Sequence, residues 1–100
     1  MNNLKSIVAA DGVDLSGIGI NGYAFKADIA LKLIELFREE STVILGGDVL
    51  KIVDLNKYDL TYDNWSYEGS NVFESCKEAE SYIKNYKYKN GDEFLYQLIT

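Results

Sequence analysis

The chain has no histidine, no proline and a single cysteine, Cys76, among its 100 residues. Without an imidazole, Ser-His and Cys-His nucleophile pairs and histidine-bound zinc are excluded, because each relies on that ring to carry a proton or hold a metal. A lone thiol can neither close an internal disulfide nor build a cysteine cage, which agrees with a reducing compartment. Cys76 therefore reads as a small core residue on a helix face. Long apolar runs are missing as well: none reaches the roughly 18 residues of a membrane-spanning helix. The opening Met1-Asn2-Asn3-Leu4-Lys5 lacks the basic start and long apolar stretch of a signal peptide. The expectation is a cytoplasmic protein with no membrane association. No repeat or low-complexity tract provides a linker, so residues 1–100 are expected to form one domain, with 47% hydrophobic residues to fill one core.

Positive charge is the next scarcity. Sixteen acids against ten Lys and Arg leave a net charge of −6. Such a surface repels phosphate backbones and anionic lipids, so no direct nucleic-acid binding is expected. A basic partner would be drawn to it, although the same acidity also serves plain solubility, and both readings stay open.

What is present divides into alternating periodicities. Asn2 to Ala10 fits a short helix with Leu4, Ile7 and Val8 on one face, ending near Gly12. Gly12 to Gly22 is too rich in glycine for regular structure, while Ile18 and Ile20 lay the loop against the core. Phe25 to Glu40 repeats Ile29, Leu33, Leu36 and Phe37 at helical spacing, broadened by Ala30 and Ile34, and exits at Ser41-Thr42. Thr42 to Leu45 reads as a strand whose direction changes at Gly46-Gly47. Val49 to Leu55 reads as a second strand leading to a turn at Asn56-Lys57, and Leu60 to Glu68 as a third. Val72 to Tyr88 returns to helical spacing with Phe73, Cys76, Ala79, Ile83 and Tyr86 on one face and Ser70 or Asn71 as its cap. After the turn at Asn90-Gly91, Phe94 to Ile99 forms a last strand buried on both faces. The class is α+β: a mostly antiparallel sheet of about four strands packed against two main helices, plus a short N-terminal helix.

With histidine gone, carboxylates, lysines and tyrosines are left for chemistry. An acid-base or carboxylate-metal catalyst would use Asp48, Asp63 and Glu68, but no pair of them has diagnostic spacing. Gly46-Gly47-Asp48 reads either as turn geometry with a backbone hydrogen bond or as an anionic contact. It lacks the Lys-Ser/Thr and helix start of a phosphate loop, and its likeness to a nucleotide cyclase signature fails because so short a chain cannot supply that fold. Asn64-Trp65 divides between a core anchor with a paired indole N–H and an interface anchor. Alternation places Tyr62, Asn64, Ser66 and Glu68 on one face, with Asp63, Trp65 and Tyr67 on the other. The mixture of aromatic and acid, with Tyr58, Asp54 and Asp59 beside it, suits a basic protein partner. The candidate binding residues are Asp48, Asp59, Tyr62, Asp63, Asn64, Trp65, Tyr67 and Glu68. Lys84, Lys87 and Lys89 beside Tyr82, Tyr86 and Tyr88 read as a solvated helix face pairing with Glu78 and Glu80.

The order of the blocks carries a further reading. Ile44-Leu45-Gly46-Gly47-Asp48-Val49, then Tyr62-Asp63-Asn64-Trp65-Ser66-Tyr67-Glu68, then Ser75, Ala79, Tyr82, Ile83 and Tyr86, then Phe94 to Ile99 together resemble immunity protein family 40, small antidote proteins of bacterial polymorphic toxin systems. Gly19, Tyr23, Ala24, Phe25, Ala30 and Leu31 extend the likeness forward. The resemblance implies a protein that binds and neutralises a cognate toxin domain, without catalysis and without a cofactor. Gly46, Gly47, Ser75, Tyr82 and Tyr86 would be structural motif residues. Acidity makes a basic toxin the expected partner, and for a nuclease toxin the acids from Asp59 to Glu68 would stand in for phosphates. A non-catalytic regulatory or scaffolding domain is the alternative, and a carboxylate enzyme the third. The toxin's identity and the oligomeric state stay open.

Overall fold

The computed structural model describes residues 11–20, 22–55 and 57–100; the helix expected over Asn2 to Ala10 lies outside them. Three strands form an antiparallel sheet in the order β4-β3-β5, with β3 (Gly46–Asp54) at its centre, β4 (Lys57–Ser66) on one side and β5 (Phe94–Ile99) on the other. Helices α1 (Ala27–Glu39) and α2 (Val72–Asn90) cover one face. A two-stranded ribbon, β1 (Val13–Asp14) with β2 (Tyr23–Ala24), joined through the 3₁₀ turn Ser16–Ile18, covers part of the other. The architecture is α+β, with five strands in two antiparallel sheets among the described residues rather than about four in one.

Alternation along β3 and β5 explains why there are two cores. Val49 and Tyr96, opposite one another in register, face the helices and pack with Leu33, Ile34, Cys76, Ala79 and Ile83. Leu50 and Leu95, the next pair, face the ribbon and pack with Leu15 and Ala24. β5 is thus buried on both faces at its centre, as its apolar run required. The far edge of β5 is closed where Phe25 exchanges two backbone hydrogen bonds with Tyr96, at 2.9 and 2.7 Å. β4 has no strand on its outer side among the described residues.

α1 buries Ala27, Ala30, Leu33 and Ile34 at the expected spacing and ends where Ser41, at φ 56°, lets the Thr42 N–H reach the Phe37 carbonyl. α2 starts at Asn71, whose side chain accepts the Glu74 N–H at 2.9 Å. Ser75 is fully buried because its hydroxyl has two partners: it donates to the Val72 carbonyl and accepts the Ile44 N–H, which ties α2 to the chain entering β3.

Four expectations are corrected. Gly46-Gly47 does not turn the chain; it opens β3, which runs unbroken through both glycines. Residues 42–45 precede the strand and form no strand themselves, although Leu45 bonds to Ile99 and Tyr67 through its backbone. The Gly12 to Gly22 segment holds regular pairing; Ile20 packs against the core as expected, but the main anchor is Leu15, at 1% exposure, and Ile18 is 40% exposed. Phe73, expected on the buried stripe of α2, is 70% exposed and lies under the Arg38 guanidinium, 5.4 Å from its ring centre.

Candidate interaction surface

The glycine pair explains the position of the tryptophan. Gly47 stands opposite Trp65 in register, and a Cβ at Gly47 would run into the indole ring and the Gln97 carbonyl. At Gly46, with φ 152°, a Cβ would strike the Trp65 carbonyl. The missing side chains let the indole lie across β3 and stack on Tyr82 of α2, with ring centres 4.7 Å apart. Tyr82 stacks on Tyr86, whose ring meets Phe94 and Tyr96 edge-on. Trp65 is half-buried, and its indole N–H has no partner among the described residues. Gly46, Gly47, Tyr82 and Tyr86 thus make the contacts that join the β4 edge to α2.

The Tyr86 hydroxyl donates to the Asp63 carboxylate at 2.8 Å. Burial, reinforced by Asp63, raises the pKa of Tyr82 and Tyr86, and burial pushes Tyr96 up to about 12. A phenol that holds its proton more tightly when folded contributes stability that is complete below its unfolded value near 10. That stability is lost as pH rises through the raised folded values. Unfolding is therefore expected to accompany phenolate formation above pH about 10, with Tyr96 ionising only as the fold is lost. A parallel ultraviolet phenolate titration and circular dichroism titration checks this; full ionisation of all tyrosines with the fold intact would contradict it.

Beyond the stack, β4 departs from regular pairing. Asn64 pairs with Asp48 and Leu60 with Leu50, so β4 uses two residues more than β3 over that interval. The excess forms a bulge at Thr61, Tyr62 and Asp63. Thr61 stitches it: its hydroxyl donates to the Val49 carbonyl at 2.8 Å and accepts the Asp63 N–H at 3.0 Å, replacing lost ladder bonds. Asn64 adds a bond from its amide to the Tyr62 carbonyl at 3.3 Å. Tyr62 is left at φ 66° and 83% exposed. A bulky residue in left-handed backbone costs about 1–2 kcal/mol, and its ring recovers little through burial. Strain of this kind points from geometry toward function.

The remaining candidates do not gather on one face. Asp59 is exposed, opposite Lys51. Asp48 is half-buried, between Asn64 and Gln97 on the ribbon side of the sheet, whereas Asp63 contacts α2 on the helix side. These two carboxylates lie on opposite faces and do not converge on one site. Among the described residues no group of three acidic or cysteine side chains stands close enough to hold a metal. Glu68 is exposed just beyond β4. Tyr67 is buried, and its hydroxyl donates to Glu74 at 2.8 Å and accepts the Asn71 N–H, so it supports the start of α2. Of the C-terminal lysines, Lys84 lies 3.9 Å from Glu80 and Lys87 lies 3.5 Å from Asp92.

Sequence reasoning missed Thr61, Ile18 and Leu60. The last two line, with Tyr58, Asp59 and Tyr62, a shallow hollow of about 360 Å³ between the 3₁₀ turn and β4. Thr61 had no signal, because a bulge of two residues leaves the alternation of faces intact. That is also why the sequence placed Asp63 and Trp65 correctly on a common face.

The family profile described as immunity protein 40 matches residues 14–100. Neither curated proteins nor solved structures give a match. No helix among the described residues is long and apolar enough to cross a membrane.

Proposed function

We propose, since this chain belongs to the immunity protein 40 family, that it neutralises a cognate toxin domain by binding it along the outer side of β4, with the Tyr62 bulge at the centre of the contact. The exposed ring of Tyr62 carries this reading. A rigid aromatic that protrudes from an otherwise ordered strand loses little entropy on binding, and such residues dominate interface energetics. The bulge also breaks the free edge, so a toxin strand cannot simply extend the sheet. Tyr62 enters a concavity of the toxin instead, and binding there blocks its active site or the approach of its substrate.

Asp59 and Asp63 flank Tyr62 along β4, Asn64 follows them, and Glu68 is exposed just past the strand. In a protein of net charge −6 they favour a basic toxin and speed encounter with it. The chain supplies no catalysis. Trp65 and Tyr67 act behind the surface, as the packing that holds β4 against α2.

Changing Asp59, Asp63 and Glu68 together to Ser is expected to weaken binding to the cognate toxin by about tenfold or more at low salt, mainly through a slower association rate. The difference should shrink at high salt. Calorimetry and stopped-flow mixing check both, and full neutralisation by the triple variant would sink the acidic surface.

A further inference from the structure

Tyr62 stands between two residues that are each tied to a different element. Before it, the Thr61 hydroxyl donates to the Val49 carbonyl of β3 at 2.8 Å and accepts the Asp63 N–H at 3.0 Å. After it, the Asp63 carboxylate accepts the Tyr86 hydroxyl of α2 at 2.8 Å. The Tyr86 phenol lies beside the Thr61 hydroxyl as well. These ties lie toward α2, whereas Tyr62 lines a hollow with Ile18 and Leu60 on the ribbon side, where Leu60 pairs with Leu50. A left-handed backbone on a bulky residue persists only where its surroundings over-determine it. The exposed ring contributes little to that hold; the ties on its two neighbours supply it.

Resting on the reading of the Tyr62 bulge as the toxin contact, we infer that Thr61 and Tyr86 are positioning residues for toxin binding, which set the direction of the Tyr62 ring without touching the toxin. Without their hydroxyls the left-handed conformation is opposed by its own sterics, and Tyr62 relaxes to the extended backbone that a bulky residue prefers. Only the molecules that still present the ring can bind, so apparent affinity falls by that fraction. Rigid presentation is also what keeps the entropy cost of burying the ring low. The Thr61 bond crosses to the central strand and is partly shielded, so its loss weighs more than that of the exposed bond between Tyr86 and Asp63. Asp63 then serves twice, as a charge and as the acceptor that Tyr86 holds. Part of the loss expected on changing Asp59, Asp63 and Glu68 to Ser should therefore persist at high salt.

Thr61→Val keeps the shape of the side chain and removes the hydroxyl; toxin affinity should fall about tenfold, and Thr61→Ser, which keeps the hydroxyl, should retain it. Tyr86→Phe leaves the ring in its contacts with Tyr82, Phe94 and Tyr96 and should lower affinity about threefold. Nuclear magnetic resonance of the free proteins reads the cause directly. The strong cross-peak between the amide and α protons of Tyr62, which a positive φ produces, should weaken in Thr61→Val and remain in Thr61→Ser. In a Tyr62→Gly background neither Thr61→Val nor Tyr86→Phe should lower affinity further. An equal further loss there would overturn the positioning role, and so would full-strength binding by Thr61→Val and Tyr86→Phe while Tyr62→Gly is weakened; either result leaves the β4 reading standing. If Thr61→Val does not fold, the affinity and cross-peak of Tyr86→Phe decide. Full-strength binding by Tyr62→Gly would overturn both.

Discussion

A Tyr62→Gly variant is expected to fold at least as stably as wild type and yet bind its toxin about 30-fold or more weakly, a loss of about 2 kcal/mol. The two effects have opposite signs because they come from different parts of the residue. The backbone at φ 66° is one that glycine adopts freely, so the substitution releases about 1–2 kcal/mol of strain. Part of that gain is returned as the greater entropy of an unfolded chain containing glycine, leaving stability unchanged or raised by about 1 kcal/mol. The bonds that hold the bulge come from the Thr61 hydroxyl and the Asn64 amide, none of which needs the tyrosine ring. The ring, 83% exposed, is what a partner would bury. Tyr62→Ala serves as the control: it loses the same affinity without the gain in stability. Denaturant unfolding and calorimetry on the three proteins separate the terms. A glycine variant that is destabilised by more than about 1 kcal/mol would mean that the ring supports the fold.

Gly47→Ala is expected to cost about 3 kcal/mol, a large share of the 5–15 kcal/mol that holds a domain of this size together. The added methyl meets the Trp65 indole on one strand and the Gln97 carbonyl on another. Neither can yield cheaply. The indole is held by its stack on Tyr82, and the carbonyl belongs to the β3–β5 ladder, in which Gly47 pairs with Leu98. Adding Trp65→Ala should restore only part of the loss, because the clash with Gln97 remains, and the coupling between the two sites appears as non-additivity. Thermal unfolding should show a fall of roughly 15 °C for the single variant; a fall of only a few degrees would show that Trp65 is not packed against this glycine.

Helical spacing disclosed α1 and α2, and the double burial of β5 followed from its apolar run. The cap was legible to within Ser70 or Asn71, because a capping side chain acts on its own neighbours, and it is Asn71. What escaped was set by distant partners. The buried hydroxyl of Ser75 is matched to an amide 31 residues away, and Phe73, in phase with the core stripe, ends instead beside Arg38. Two consecutive glycines ordinarily break a strand, but here their bareness is what admits Trp65, a relation no local pattern encodes. The candidate surface was proposed from composition, as tyrosine among acids. The separation of that set into an exposed Tyr62 and a buried Tyr67 depended on the bulge and on the start of α2. Of the candidate residues named from sequence, Asp59, Tyr62, Asp63, Asn64 and Trp65 lie on β4, Tyr67 and Glu68 lie just past its end, and Asp48 lies on the central strand.

The most direct measurement is amide hydrogen exchange of this protein alone and bound to its cognate toxin domain. Slowed exchange along Lys57 to Glu68, with the outward side of α2 around Tyr88 unchanged, is the expected result. Protection confined to α2 or to the Phe73 corner, with β4 exchanging as it does in the free protein, would contradict the placement of the interface.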